Sequence, residues 1–192
     1  MTPLTRSRFH NATAYFWICS RGDTMPVLLV MVVLPSLLAL AAGWDIASYT
    51  IPNRLQLVLI AAFAIFAVTA GVSTTQLATH LLAGFIGLVV GFTLFALGYI
   101  GGGDAKLFAC IALWLGLGNL LEYSLTSSIF GGMLTLSLMM LREFPLPPIA
   151  LNQAWIVRLH DSRSGIPYGV ALATATVALL PHADIFRHAS IS

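Results

Sequence analysis

Charged residues punctuate this chain at intervals close to the length of a membrane helix, about 20 residues. Reading spans from the gaps between charges predicts six of them. The first runs from Thr24 to Trp44, with Pro26 to Gly43 as its apolar body. The next gap, Leu55 to Gly103, would as one helix extend roughly 70 Å at ~1.5 Å per residue, about two membranes thick. The polar stretch Gly71-Val72-Ser73-Thr74-Thr75-Gln76 divides it into spans near Leu55 to Ala70 and Leu77 to Ile100. A short fourth span, Leu107 to Leu121, carries Gly116 and Gly118 and is expected to tilt little or to thin the bilayer locally. Tyr123 to Leu141 and Ile166 to Leu180 complete the set. Gly84, Gly87 and Gly91 read as a packing face, because small residues let helix backbones approach. Between the last two spans, Leu151, Trp155 and Leu159 recur every four residues and predict a short helix lying on the membrane surface.

Composition agrees with a lipid solvent. The 192 residues are 58% hydrophobic and 8% charged, against the roughly 25% charged of soluble globular domains. The expected fold class is therefore all-α, a polytopic membrane protein with the lipid bilayer as its partner. Its domain plan is an N-terminal arm at 1–24, a six-helix transmembrane domain at 25–181 and a tail at 182–192. A formal charge of +2 without a basic run excludes a nucleic-acid binder. Two cysteines, Cys19 and Cys110, make neither a disulfide framework nor a four-thiolate metal site.

Orientation follows from the Lys/Arg bias. With the connection Asp45 to Arg54 in the cytoplasm, Arg54, Lys106, Arg142, Arg158 and Arg163 all fall inside. Arg187 and the arm's Arg6, Arg8 and Arg21 fall outside. The arm weakens the asymmetry, and a translation start at Met25 would restore it.

Carboxylates beside a bilayer are costly, so the few acids this chain keeps deserve a reason. Asp45 ends the first span, ahead of Ile51-Pro52-Asn53-Arg54, and Asp104 follows the run Gly101-Gly102-Gly103 with Lys106 two residues later. Six spans put both acids at the same membrane face. Two carboxyls that share a proton can hydrolyse a peptide bond, the ionised one taking a proton from water while the other donates to the scissile carbonyl oxygen. Such a pair titrates as one unit. A helix N-terminus and Lys106 both favour Asp104 as the ionised partner, with Asp45 as the proton donor. Gly101 and Gly103 have backbone angles open to them that other residues lack, and their missing side chains would let an extended substrate approach.

Pro52 and Asn53 turn the chain and cap the second span. Pro167, Tyr168 and Gly169 open the sixth at the same face, where they line the site or simply begin a helix. Asp23, Glu122, Glu143, Asp161 and Asp184 read as interfacial charges. His10, His80, His160, His182 and His188 lack metal-ligand spacing, and no metal or cofactor is expected.

In order, Asp45 with Ile51-Pro52-Asn53, then Gly101-Gly102-Gly103-Asp104-Ala105-Lys106-Leu107, then Pro167-Tyr168-Gly169-Val170-Ala171 resemble the landmarks of the type IV prepilin peptidases. The resemblance covers about Met25 to Leu180. It implies a bacterial inner-membrane aspartic endopeptidase with Asp45 and Asp104 as the catalytic pair. Its partner would be a prepilin, cut at the cytoplasmic face just before its hydrophobic segment. Larger members carry a zinc-binding Cys-x-x-Cys insertion and a methyltransferase activity. Here only Ile46 to Asn53 separates Asp45 from Arg54 and no Cys-x-x-Cys occurs, so the chain is similar to the peptidase-only enzymes of tight-adherence (Flp-type) pilus systems. The same acids would also suit a small proton- or ion-coupled transporter, and the fold a non-catalytic pilus assembly subunit.

Overall fold

The computed structural model describes residues 24–183. The expected arm lies outside this range apart from Thr24, and so does the expected tail beyond residue 183. Of the described residues, 82% are helical and none forms a strand. Helix α1, Thr24–Leu28, passes through a π turn, Leu29–Val33, into α2, Leu34–Ser48. Pro35 has no N–H to offer the carbonyl four residues back, and the wide turn ahead of it absorbs the mismatch. Next come α3, Asn53–Thr69, and α4, Thr74–Ala96. Between them Gly71 adopts φ 60°, and Ser73 and Gln76 form a reciprocal cap on α4. Helix α5 spans Gly102–Leu115 and α6 Leu117–Arg142. A 3₁₀ turn, Pro148–Asn152, and α7, Ala154–His160, occupy the long polar connection, and α8, Tyr168–Leu179, runs into a last 3₁₀ turn, Leu180–His182.

Among the described residues, three segments are long and apolar enough to cross a membrane: Met25–Ser48, Thr74–Ala96 and Leu117–Arg142. Asn53–Thr69 and Tyr168–His182 are shorter apolar helices. The predicted fourth span needs correcting. Instead of continuing to Leu121, the helix stops at Leu115, because Gly116 takes φ 77° and ψ 174° and turns the chain in one residue. Leu117 to Leu121 and Glu122 therefore belong to α6. Helix α5 is short because it is the centre of the bundle. Nearly all of it is buried, and α3, α4, α6 and α8 pack around it. A helix enclosed by protein has no need to match the thickness of lipid. The surface helix is also shorter than its four-residue spacing suggests, since Leu151 falls in the 3₁₀ turn and only Trp155 and Leu159 share α7.

The most extensive contact joins α4 to α5, and glycine makes it. A Cβ at Gly87 would come within 2.8 Å of the Ala112 Cβ, and one at Gly91 within 2.7 Å of the Ala105 carbonyl oxygen. Helix α3 runs parallel to α5, tied by Gln56 Nε2 donating to the Gly103 carbonyl at 3.1 Å and Trp114 Nε1 donating to the Leu59 carbonyl at 3.0 Å. Helix α8 packs on both α2 and α6. The C-terminal ends of α2, α4 and α6 thereby gather with the N-terminal ends of α3, α5 and α8. All five Lys and Arg among the described residues belong to that end: Arg54, Lys106, Arg142, Arg158 and Arg163.

Candidate active site

At this end the bundle is hollow. A cavity of about 610 Å³ is lined by Asp45 and Asp104 together with Tyr49, Gly101, Arg158 and Tyr168. The acids come from different helices: Asp45 lies in the last turn of α2 and Asp104 in the first turn of α5. Asp45 is 2% exposed and Asp104 6%. The Gly169 amide at the start of α8 donates to Asp45 Oδ2 at 2.7 Å. Two helix N-termini, those of α5 and α8, thus turn free N–H groups toward the same pair of carboxyls, an arrangement that favours negative charge between them.

The carboxyls are not equally satisfied. Asp104 Oδ2 accepts from the Gly101 amide at 3.3 Å, closing the first turn of α5 as an N-terminal cap. Its Oδ1 is buried and has no hydrogen-bond partner. A buried acceptor without a donor is rare and calls for an explanation. Capping uses one oxygen of Asp104, and the second is left without a donor.

The glycines act through space rather than through unusual backbone angles. Gly101 has φ −71° and Gly103 lies inside α5, so neither uses the left-handed region. A Cβ at Gly101 would stand 2.9 Å from Asp104 Oδ2, and one at Gly103 would stand 3.2 Å from the Ile51 amide nitrogen. Gly103 therefore seats the Ile51 loop against α5. Gly169 is the tightest: its Cβ would stand 2.8 Å from Asp45 Oδ2 and 3.1 Å from Asp45 Cβ. Side chains at these positions would press directly on the acids or on the loop that follows Asp45.

Some of the other expected site residues lie apart from the cavity. Lys106 Nζ donates to Asn53 Oδ1 at 3.0 Å, and both line a separate groove among α3, α4 and α5. Residues two apart on a helix face different ways, so Lys106 points away from the carboxyl that its sequence position brings close. Pro52 and Asn53 start α3, and Pro167 starts α8. Tyr168 reaches the cavity.

Several residues around the cavity carry no signal in sequence. Tyr49 ends α2 at φ 54°, the only non-glycine among the described residues with positive φ. That conformation is unfavourable for a bulky residue and clusters at functional sites. Its hydroxyl is buried beside Arg142 without a hydrogen bond of full geometry. Burial holds the phenol above its ordinary range, against the opposing pull of Arg142. Arg158 reaches from α7 to the Ala47 carbonyl at 3.0 Å, and Arg142 binds the Leu159 and Gly165 carbonyls at 3.0 and 3.1 Å. These arginines fasten the long polar connection over the cavity.

An apolar helical bundle with two acids from separate helices in one cavity at its charged end defines a membrane protein with a paired-carboxylate site. The family model described as the type IV leader peptidase family matches residues 32–136, and the chain belongs to that family. The matched stretch includes both acids and ends before Arg142, α7 and α8. Membership implies a peptidase whose substrate is a protein. Searches of curated proteins and of solved structures gave no significant match.

Proposed function

We propose that this protein is an aspartic endopeptidase of the bacterial inner membrane that removes the basic leader from prepilins at the cytoplasmic face. The observation that carries this reading is the single cavity shared by Asp45 and Asp104, with the Gly169 amide bonded to Asp45. The short Asp45 to Arg54 connection, without Cys-x-x-Cys, favours a peptidase-only enzyme and a Flp-type substrate.

The chain crosses the bilayer six times, by α1–α2, α3, α4, α5, α6 and α8. Support comes from the alternation of helix ends and from α5 being enclosed, which frees it from the ~20-residue requirement. The five Lys and Arg of the described residues, all at the carboxylate end, support a cytoplasmic orientation of that end by the positive-inside rule.

Hydrogen bonding supports roles opposite to the expectation from Lys106. Asp45, accepting the short Gly169 bond, carries the charge; Asp104, with a buried oxygen that no donor meets, carries the proton. Asp45 takes a proton from a water held between the acids, and the hydroxide adds to the scissile carbonyl carbon while Asp104 protonates the carbonyl oxygen. Collapse of the tetrahedral species breaks the C–N bond as its nitrogen is protonated, leaving a carboxyl terminus on the leader and an amine on the mature chain.

Asp45→Asn and Asp104→Asn are nearly isosteric. Each is expected to remain in the membrane at normal levels and to lose leader removal from a co-expressed prepilin by at least ~10²-fold. Normal processing by either variant would reject the paired-acid mechanism. Loss of proton or ion flux without precursor accumulation would favour a transporter.

A further inference from the structure

The carboxylate cavity opens onto a second space. A groove of about 550 Å³ runs along the bundle between α4 and α6, and Ile100, Asp104 and Tyr168 line both it and the cavity. Val90 and Leu94 form one wall and Ser124, Ser128 and Gly132 the other, over Phe108. Residues 124, 128 and 132 recur every four positions and so present one face of α6. Their hydroxyls are already used: Ser124 donates to the Leu120 carbonyl at 2.7 Å and Ser128 to the Ser124 carbonyl at 2.8 Å. Thr135, farther along the same wall, donates to the Gly131 carbonyl at 2.7 Å. The wall therefore offers little unused hydrogen bonding and is narrow enough for another backbone to come close, the property that drives helix association in lipid. At Gly132 there is open space, since a Cβ built there meets nothing within 4 Å.

A second observation gives the groove a direction. Asp104, 6% exposed, lines it and carries the buried Oδ1 that lacks a partner. The groove thus ends at the carboxyl of Asp104, one of whose oxygens, itself buried, has no hydrogen-bond partner.

Resting on the leader-peptidase reading, we propose that the groove between α4 and α6 receives the first turns of the apolar helix that follows the scissile bond, which then enters the cavity beside Asp104. The occupant is a substrate helix because the groove is continuous with the carboxylate cavity at three residues and its far wall is small and internally hydrogen-bonded. An apolar helix seated there would place the bond before its first turn at the acids. Selection would then act on a bulky apolar face after the cleavage point, to match the small wall.

The test uses the full chain in membranes with a co-expressed prepilin. Gly132→Leu fills the groove from a position with no neighbour to disturb, and cleavage is expected to fall about tenfold or more, the size of a steric effect in an apolar pocket. Gly132→Ala should stay within about twofold. Gly43→Leu, at an equally open position on α2, should leave the rate unchanged. In an Asp104→Asn background that holds uncut substrate, p-benzoylphenylalanine placed at Gly132 should cross-link the prepilin's apolar helix, whereas the same probe at Ile60, in the groove on the other side of α5, should not. Wild-type cleavage by Gly132→Leu, or cross-links from position 132 to lipid alone, would overturn the groove while leaving the peptidase reading intact. A wild-type protein that leaves prepilins uncut would overturn the peptidase reading and the proposed occupant with it.

Discussion

The two ends of the bundle are built to opposite rules. Away from the acids, Phe63, Phe66, His80 and Trp114 form a sealed aromatic plug: Phe63 lies 5.6 Å from Trp114 and 5.4 Å from His80, ring centre to ring centre. Its polar atoms are bonded, His80 Nδ1 to the Leu113 carbonyl at 2.8 Å and Trp114 Nε1 to the Leu59 carbonyl at 3.0 Å. Even the turn is tight, since a Cβ at Gly116 would stand 3.0 Å from the His80 ring. At the other end are the 610 Å³ cavity, the unpartnered Asp104 Oδ1 and Tyr49 hydroxyl, and a tyrosine in a left-handed conformation. Among the described residues, a third unpartnered buried atom, the Tyr123 hydroxyl, lies beside Ser127 and Thr176 within the bundle. The contrast teaches where stability and chemistry reside. The plug satisfies its groups and holds α3, α4 and α5 together; the hollow end leaves groups unsatisfied, and it is there that the proposed function places the substrate.

Substitutions at the two ends should therefore separate activity from stability. The largest effect on rate short of removing an acid is expected from Gly169→Ala. Its methyl group would displace the Asp45 carboxyl, and a displacement near 1 Å costs on the order of 10²-fold in rate. Prepilin cleavage per molecule should show this loss while thermal unfolding in detergent stays close to wild type. Trp114→Ala should do the reverse, lowering stability by about 3–5 kcal/mol through the cavity it leaves, with the rate per folded molecule nearly kept. If Trp114→Ala instead slowed cleavage in fully folded protein, the two ends would not be independent. Across pH, the rate should trace a bell, because the pair has no base when both acids are protonated and no acid when both are ionised. A rate that rises to a plateau on one side would mean that only one group titrates. Lys106→Met should have the smallest effect, within about twofold in cleavage and at most about 1 kcal/mol in stability, since it removes one exposed hydrogen bond outside the cavity.

What could be read in the sequence followed from solvent and period. Gaps between charges located the helices because lipid tolerates few ions, and the glycines of α4 marked a packing face that closes on Ala105, Ala109 and Ala112. Asp45 and Asp104 stood out because acids are rare here, and the cavity they share is at the end where topology brings α2 and α5. Other features depend on information that hydropathy does not carry. The stop at Gly116 is a backbone angle, invisible in an apolar run that continues to Leu121. The central place of α5 is a tertiary fact that explains its length only afterwards. Lys106 is near Asp104 in sequence, but helical phase sends its side chain to Asn53. Tyr49, Arg142 and Arg158 are ordinary interfacial residues until the long connection folds back over the cavity.

The central claim is that Asp45 and Asp104 act as one unit on a peptide bond, and a double-substitution cycle addresses it most directly. Leader-removal rates would be measured for wild type, Asp45→Asn, Asp104→Asn and the double variant at equal membrane levels. If the acids work together, each single variant should lose nearly as much as the double, because a unit missing one member is already broken. Losses that multiply, so that the double variant falls by the product of the two single effects, would contradict the account.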